Sequence, residues 1–178
     1  MGAMVSWRPL PSLMAISGND KYLAKIDYEL GAKIYELKGE DYKLKKIIKL
    51  QERFPVNLYI TDKGDLITYG QQRLFGSGQA QSDIVYIFRD FGKSLKTISA
   101  EMIYSKEEID ESILKYEKSY NCTPQKPWIC HSEEAETAYD NELGIYDTLN
   151  NVVDINLETF EIKKSKSYRK CGLFDDIK

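Results

Sequence analysis

The chain has 178 residues and a formal net charge of −3, enough for one domain with a real core, and its overall field gives no argument for nucleic-acid binding. Tyrosine is abundant, with 13 copies beside 6 Phe and 2 Trp, and together with well-supplied Ile, Val and Thr this favours strands over helices. No run of about 18 apolar residues occurs, which argues against a helical membrane span.

Met1-Gly2-Ala3-Met4 reads as a start followed by a cloning scar, with the domain beginning at residue 5. A signal peptide cut away before Val5 would place the protein in the periplasm or envelope; otherwise the cytoplasm is expected. Trp7-Arg8-Pro9-Leu10-Pro11 should run extended, because each proline disfavours helix at itself and before itself. Leu13 to Ile16 and Tyr22 to Tyr28 alternate in polarity around the turn formers Ser17-Gly18-Asn19-Asp20, which predicts a hairpin. Lys33 to Lys38 follows as a strand after Gly31, and Gly39-Glu40-Asp41 as a turn. Leu44 to Leu50 fits a helical face about as well as a strand, but strand spacing on both sides decides for a strand.

Val56 to Gly70 carries the strongest local signal. Val56, Leu58 and Ile60 share one face, and Asp62-Lys63-Gly64 supplies a type I turn closed by a glycine free to take positive φ. A polar Gly/Ser/Gln-rich loop containing Arg73 and Phe75 follows Gly70. Ile84 to Phe88 and Leu95 to Ile98 then flank Asp90-Phe91-Gly92, repeating the Asp-x-Gly order of the previous hairpin. Ser105-Lys106-Glu107-Glu108 is a capping box, and Ile109, Ile113, Tyr116 and Tyr120 follow at helical spacing, so one amphipathic helix is expected over about 105–120. After a loop to Pro127, Trp128 opens the last β section. Gly144 to Leu149 and Val152 to Leu157 should form a hairpin across Asn150-Asn151, and Phe160 to Lys163 a final strand. Residues 165–178 read as a loosely held tail.

The expected fold is therefore mainly β: a single domain over 5–164, built of antiparallel hairpin repeats in propeller-like or meander sheets, with one amphipathic helix. From about Leu13 to Lys164, the order of hairpins, the two Asp-x-Gly turns, the capped helix, Trp128 and the closing strands through Ile162 resembles a loose set of uncharacterised bacterial β-repeat proteins, similar to partial β-propellers. Thr159-Phe160 departs from the Thr-Gly turn usual there, and the first hairpin lacks the Asp-x-Gly order. The resemblance implies no catalytic residues.

Chemistry-bearing motifs are sparse. His131 is the sole histidine, and neighbouring Cys130 would point to the opposite face of a strand, poor geometry for a dyad. Cys122, Cys130, His131 and Cys171 lack the short Cys-x-x-Cys spacing of a zinc site, so no metal and no cofactor are expected. Three cysteines are an odd number, which argues against a fully paired secreted framework; an oxidised Cys122–Cys130 pair would support export and three reactive thiols the cytoplasm. Between Lys126 and Lys163 there is no Lys or Arg, while carboxylates accumulate. Acidic groups steer a basic partner and aromatics anchor it, so Trp128, Glu133, Glu134, Glu136, Tyr139, Asp140 and Glu142, with Arg73 and Phe75, are the expected partner-binding residues. The function expected is a non-enzymatic protein-binding domain, in particular an immunity protein neutralising a bacterial toxin. The alternative is an envelope or periplasmic β-repeat domain with a structural or ligand-binding role.

Overall fold

The computed structural model describes residues 13–27, 29–50, 57–69, 83–109, 137–138, 141–147 and 149–167. Among the described residues, twelve strands form three four-stranded antiparallel meanders. Sheet 1 holds β1 (Met14–Ile16), β2 (Tyr22–Asp27), β3 (Gly31–Lys38) and β4 (Asp41–Ile48). Sheet 2 holds β5 (Asn57–Ile60), β6 (Leu66–Tyr69), β7 (Asp83–Arg89) and β8 (Ser94–Ser99). Sheet 3 holds β9 (Thr137–Ala138), β10 (Glu142–Tyr146), β11 (Asn151–Asn156) and β12 (Ile162–Lys166). Strand order follows chain order in each, as in the blades of a propeller. No helix among the described residues is long and apolar enough to cross a membrane.

Residues paired across strands share a face, so the ladders assign every side chain to a layer. Tyr22, Ala24, Ile26, Ala32, Ile34 and Ile48 on the back of sheet 1 meet Leu58, Ile60, Leu66, Tyr86 and Phe88 on the front of sheet 2. Ile67, Tyr69, Val85, Ile87 and Ile98 on the back of sheet 2 meet Leu143, Ile145, Val153 and Ile155 on the front of sheet 3. Sheet 2 is thus covered on both faces, which is why all four residues of β6 are buried. The outermost strands carry exposed lysines, Lys43, Lys45 and Lys46 on β4, Lys96 on β8, and Lys163, Lys164 and Lys166 on β12. The opposite edge strands β1, β5 and β9 carry no charge, and β1 lies alongside β5. Lysine on an open strand edge blocks pairing with another chain, so the outer edges are protected by charge.

The turns explain where the expected boundaries shift. Thr61 N–H donates to Asp65 O and Gly64 N–H to Thr61 O, with Gly64 at φ +84, the type I turn plus left-handed residue expected there. A Cβ on Gly64 would lie 2.2 Å from the Phe91 ring. The turn of sheet 3 repeats this geometry with Asn150 at φ 62: Asp147 N–H donates to Asn151 O and Asn150 N–H to Asp147 O. The two-residue Asn150-Asn151 turn is therefore corrected. Asn151 belongs to β11, because the Asp147 carboxylate draws in the N–H of Leu149 and of Asn151 at 2.9 and 2.7 Å. Phe160 is likewise not a strand residue. It takes the left-handed conformation at φ 61 in the turn before β12, where glycine would be usual, and Arg89 and Lys96 lie over its ring. β12 begins later and runs further than the final strand expected over Phe160 to Lys163.

The two Asp-x-Gly turns fall in one sheet, at the same end of sheet 2, so the repeating unit is the four-stranded meander and not the hairpin. The capping box is present: Ser105 N–H donates to the Glu108 carboxylate at 2.9 Å and Glu108 N–H to Ser105 Oγ at 3.3 Å. An additional helical turn, α1 (Ala100–Ile103), precedes it, and Ile109 packs on the core between sheets 2 and 3. Residues 110–120 of the expected helix lie outside the described residues.

Candidate functional site

The stack has two ends and two outer faces, on which no further sheet packs among the described residues. At one end the short turns of all three sheets interlock. Asn19 N–H donates to the Asp62 carboxylate at 2.8 Å, tying sheet 1 to sheet 2. Lys63 reaches sheet 3 through Glu158 at 2.6 Å and Asn141 at 3.4 Å, and the Lys63 ammonium holds the Glu158 carboxyl below the usual carboxylate range. Asp65 binds Arg89 at 3.0 Å and accepts from Asp90 N–H at 2.8 Å, while Arg89 also donates to Leu157 O. Phe91 sits edge-on to Tyr22 at 5.1 Å with the Lys45 ammonium 4.3 Å from its ring. Lys45 is the extra residue of a β-bulge opposite Ile34 and Tyr35, which re-aims it toward that ring. These charges satisfy one another across the sheets, so this end is a clasp.

Tyr69 and Asp83, which precede and follow 70–82, lie at the other end, away from the clasp. Arg73, Phe75, Trp128, Glu133, Glu134, Glu136, Tyr139 and Asp140 themselves lie outside the described residues, as do Cys122, Cys130, His131 and Cys171. Glu142 is described: it is exposed on the back of sheet 3, opposite Asn156. Among the described residues no group of three or more His, Cys, Asp or Glu gathers as a metal site would.

A buried polar group lies near this end. Asp147 is 1% exposed, and besides the two backbone N–H groups it accepts from Asn151 Nδ2 at 2.7 Å, with the buried Tyr104 phenol close to the same carboxylate. Burial pushes its carboxyl up, against these hydrogen bonds, and pushes the Tyr104 phenol up as well. The group closes the β10–β11 hairpin onto the turn after α1.

The two outer faces differ in kind. On the front of sheet 1, Ile16, Leu23, Tyr35 and Leu44 form one cross-strand row, one residue from each strand. Beside it, Met14, Lys25, Lys33 and Ile47 form a second row. Lys33 pairs with Asp27 at 2.6 Å, and that hydrogen bond, with those from Leu30 and Glu29 N–H, holds the Asp27 carboxyl below its ordinary range. Met14, Ile16, Leu44 and Ile47 are large apolar side chains left exposed. The back of sheet 3 instead carries Glu142, Gly144, Asp154, Asn156 and Lys163, with Tyr146 buried at its far end.

The apolar row of sheet 1 was not among the residues nominated from sequence. A signal for it exists: β2 and β3 carry Leu23, Tyr35 and Leu37 in phase opposite to Tyr22, Ala24 and Ile34, and a strand with one wet face would alternate cleanly. No protein-family model matches this chain, and no curated protein matches its sequence.

Proposed function

We propose that this chain is a non-enzymatic protein-binding domain whose binding surface is the front of sheet 1, and that neutralising a bacterial toxin as its immunity protein is the role it serves. The observation that supports this reading is the row Ile16–Leu23–Tyr35–Leu44, a band of apolar side chains crossing all four strands of a sheet that no described residue covers. Exposed apolar bands of this kind mark interaction surfaces on proteins. The partner the face fits is a protein surface that is apolar at its centre and carries a carboxylate to meet Lys25.

Growth rescue tests it. Co-expression with the product of the adjacent gene should restore growth of cells poisoned by that product, and Ile16→Asp with Leu44→Asp should abolish rescue while the protein remains folded. Rescue that survives both changes removes the face from the function; absence of rescue by the unmodified chain removes the immunity role.

A further inference from the structure

The apolar row of sheet 1 has covered counterparts. Sheet 2 carries Ile60, Leu66, Phe88 and Leu95 in register, strand for strand the equivalents of Ile16, Leu23, Tyr35 and Leu44. Sheet 3 carries Leu143, Ile155 and Ile162 on its second, third and fourth strands. In those two sheets the row lies on the back of the preceding sheet, and Ile60 is 6% exposed where Ile16 is 51%. Besides exposure, sheet 1 is set apart by the charge around its row.

Lysines occupy the outer strand of each sheet, and their pairing differs. Lys96 of β8 lies over the Phe160 ring; on β12, Lys163 pairs with Glu161 at 3.7 Å, Lys164 with Glu108, and Lys166 donates to Leu149 O at 3.4 Å. In sheet 1, Lys33 pairs with Asp27, and Lys38 and Lys45 with Glu36. Lys25, Lys43, Lys46 and Lys49 are exposed and make no ion pair, side-chain hydrogen bond or ring contact among the described residues. Blocking an open edge requires a charge there but not an unpaired one, so four unpaired lysines in one sheet have another cause. Lys43 and Lys46 each precede an exposed apolar residue of the front, Leu44 and Ile47, and Lys25 stands between Met14 and Lys33 in the row beside. The remaining carboxylates of sheet 1, Asp20, Glu29, Glu40 and Asp41, fall in or next to its hairpin turns. The middle of the sheet is thus apolar with cations around it.

We infer that the partner received by the sheet 1 front is an acidic protein surface, its carboxylates set around an apolar patch, and that the unpaired lysines speed its approach while the apolar row holds it. The inference rests on the reading of that front as the binding surface and adds the partner's charge and a division of labour. Charges around a contact act on association, because their attraction reaches across a Debye length of about 8 Å at physiological salt, whereas apolar contacts form only on docking. A nucleic acid would meet the same lysines but leave the apolar row unused, and the chain's net charge of −3 opposes it.

The first test needs no toxin. The isotope-labelled chain is titrated by NMR with two synthetic peptides that share one apolar core, flanked by glutamates in one and by lysines in the other. The glutamate peptide should bind at least about tenfold tighter, shift the amide signals of β1 to β4 and weaken as salt rises. Lys43→Glu with Lys46→Glu should remove the preference, with circular dichroism showing the sheets intact. Equal affinity for the two peptides, no shift with either, or a preference that survives the double substitution overturns the inference and leaves the lysines as edge protection. A DNA oligomer that binds more tightly than the glutamate peptide overturns it as well. The second test uses the product of the adjacent gene, whose association rate should fall at least about tenfold with the double variant while dissociation stays within about twofold, and Leu44→Ala should raise dissociation instead. An unchanged association rate overturns the inference. An adjacent product that fails to bind, beside a glutamate peptide that binds as expected, overturns the immunity reading alone.

Discussion

Ile16 and Ile60 hold the same place in the same cross-strand row, and one is exposed while the other is buried. The rows around them match in residue type, so local pattern made both faces and only the neighbour differs. On the front of sheet 2, Leu66 is fully buried against sheet 1; on the front of sheet 1, its counterpart Leu23 is half-buried. An apolar row therefore defines a seat, and whether the seat contributes to stability depends on what occupies it.

Truncation of the two leucines should separate the faces most widely. Leu66→Ala should lower the unfolding free energy by about 3 kcal/mol, as cavity formation between packed sheets does, and Leu23→Ala by about 1 kcal/mol or less. Urea denaturation at low protein concentration measures both. Equal losses would mean that the sheet 1 front is covered as fully as the front of sheet 2.

The next row sharpens the contrast with a smaller effect. Lys25 on sheet 1 corresponds to Thr68 on sheet 2, between Leu58 and Tyr86, and Thr68 is wholly buried with no partner for its hydroxyl among the described residues. Burying a hydroxyl without a hydrogen bond is unfavourable, so Thr68→Val should raise stability by about 1 kcal/mol in the same denaturation experiment. A loss instead would show that the hydroxyl is satisfied.

Two carboxylates give the smallest effects, of opposite sign. Asp27 on the sheet 1 front is held low by the Lys33 hydrogen bond, so its stabilisation is present above the unfolded value and is lost as pH falls through the folded one. Asp147 is raised by burial, so the folded state keeps its proton longer than the unfolded chain does. Its contribution is therefore unfavourable once ionised, and stability falls as pH rises from the ordinary carboxylate range through the raised value. Carboxyl carbon shifts followed by NMR should show Asp27 titrating below and Asp147 above the ordinary range. The same ordering in both would remove the distinction.

The strands, the Asp62-Lys63-Gly64 turn and the capping box were legible because each rests on local chemistry: period-two alternation, a glycine free to take positive φ, and a reciprocal side-chain pair. The reading of Leu44 to Leu50 as strand held through Ile48 for the same reason, although β4 starts earlier, at Asp41, which was expected in a turn. Phe160 was placed in a strand because nothing local reports that a phenylalanine will adopt the left-handed conformation. Its ring is held by Arg89 and Lys96, which are distant in sequence. Sheet membership was illegible for a similar reason. Two Asp-x-Gly turns suggested a hairpin repeat, whereas the recurring unit is a row whose members are spread over four strands and appear only once the register is known. Of the nominated partner-binding residues, Glu142 is the described one, and it lies on the sheet 3 back, away from the apolar row.

Every ladder among the described residues joins strands adjacent in the chain. A β protein of this topology has few long loops to close before native pairing begins, which places it toward the fast end for its class. Among the described residues, sheets 1 and 3 each pack one face against a neighbouring sheet, but sheet 2 draws its core from both neighbours. The middle meander can pair its strands early, yet its side chains lock only when the sheets before and after it have arrived, so cooperativity in this fold resides in the centre of the chain.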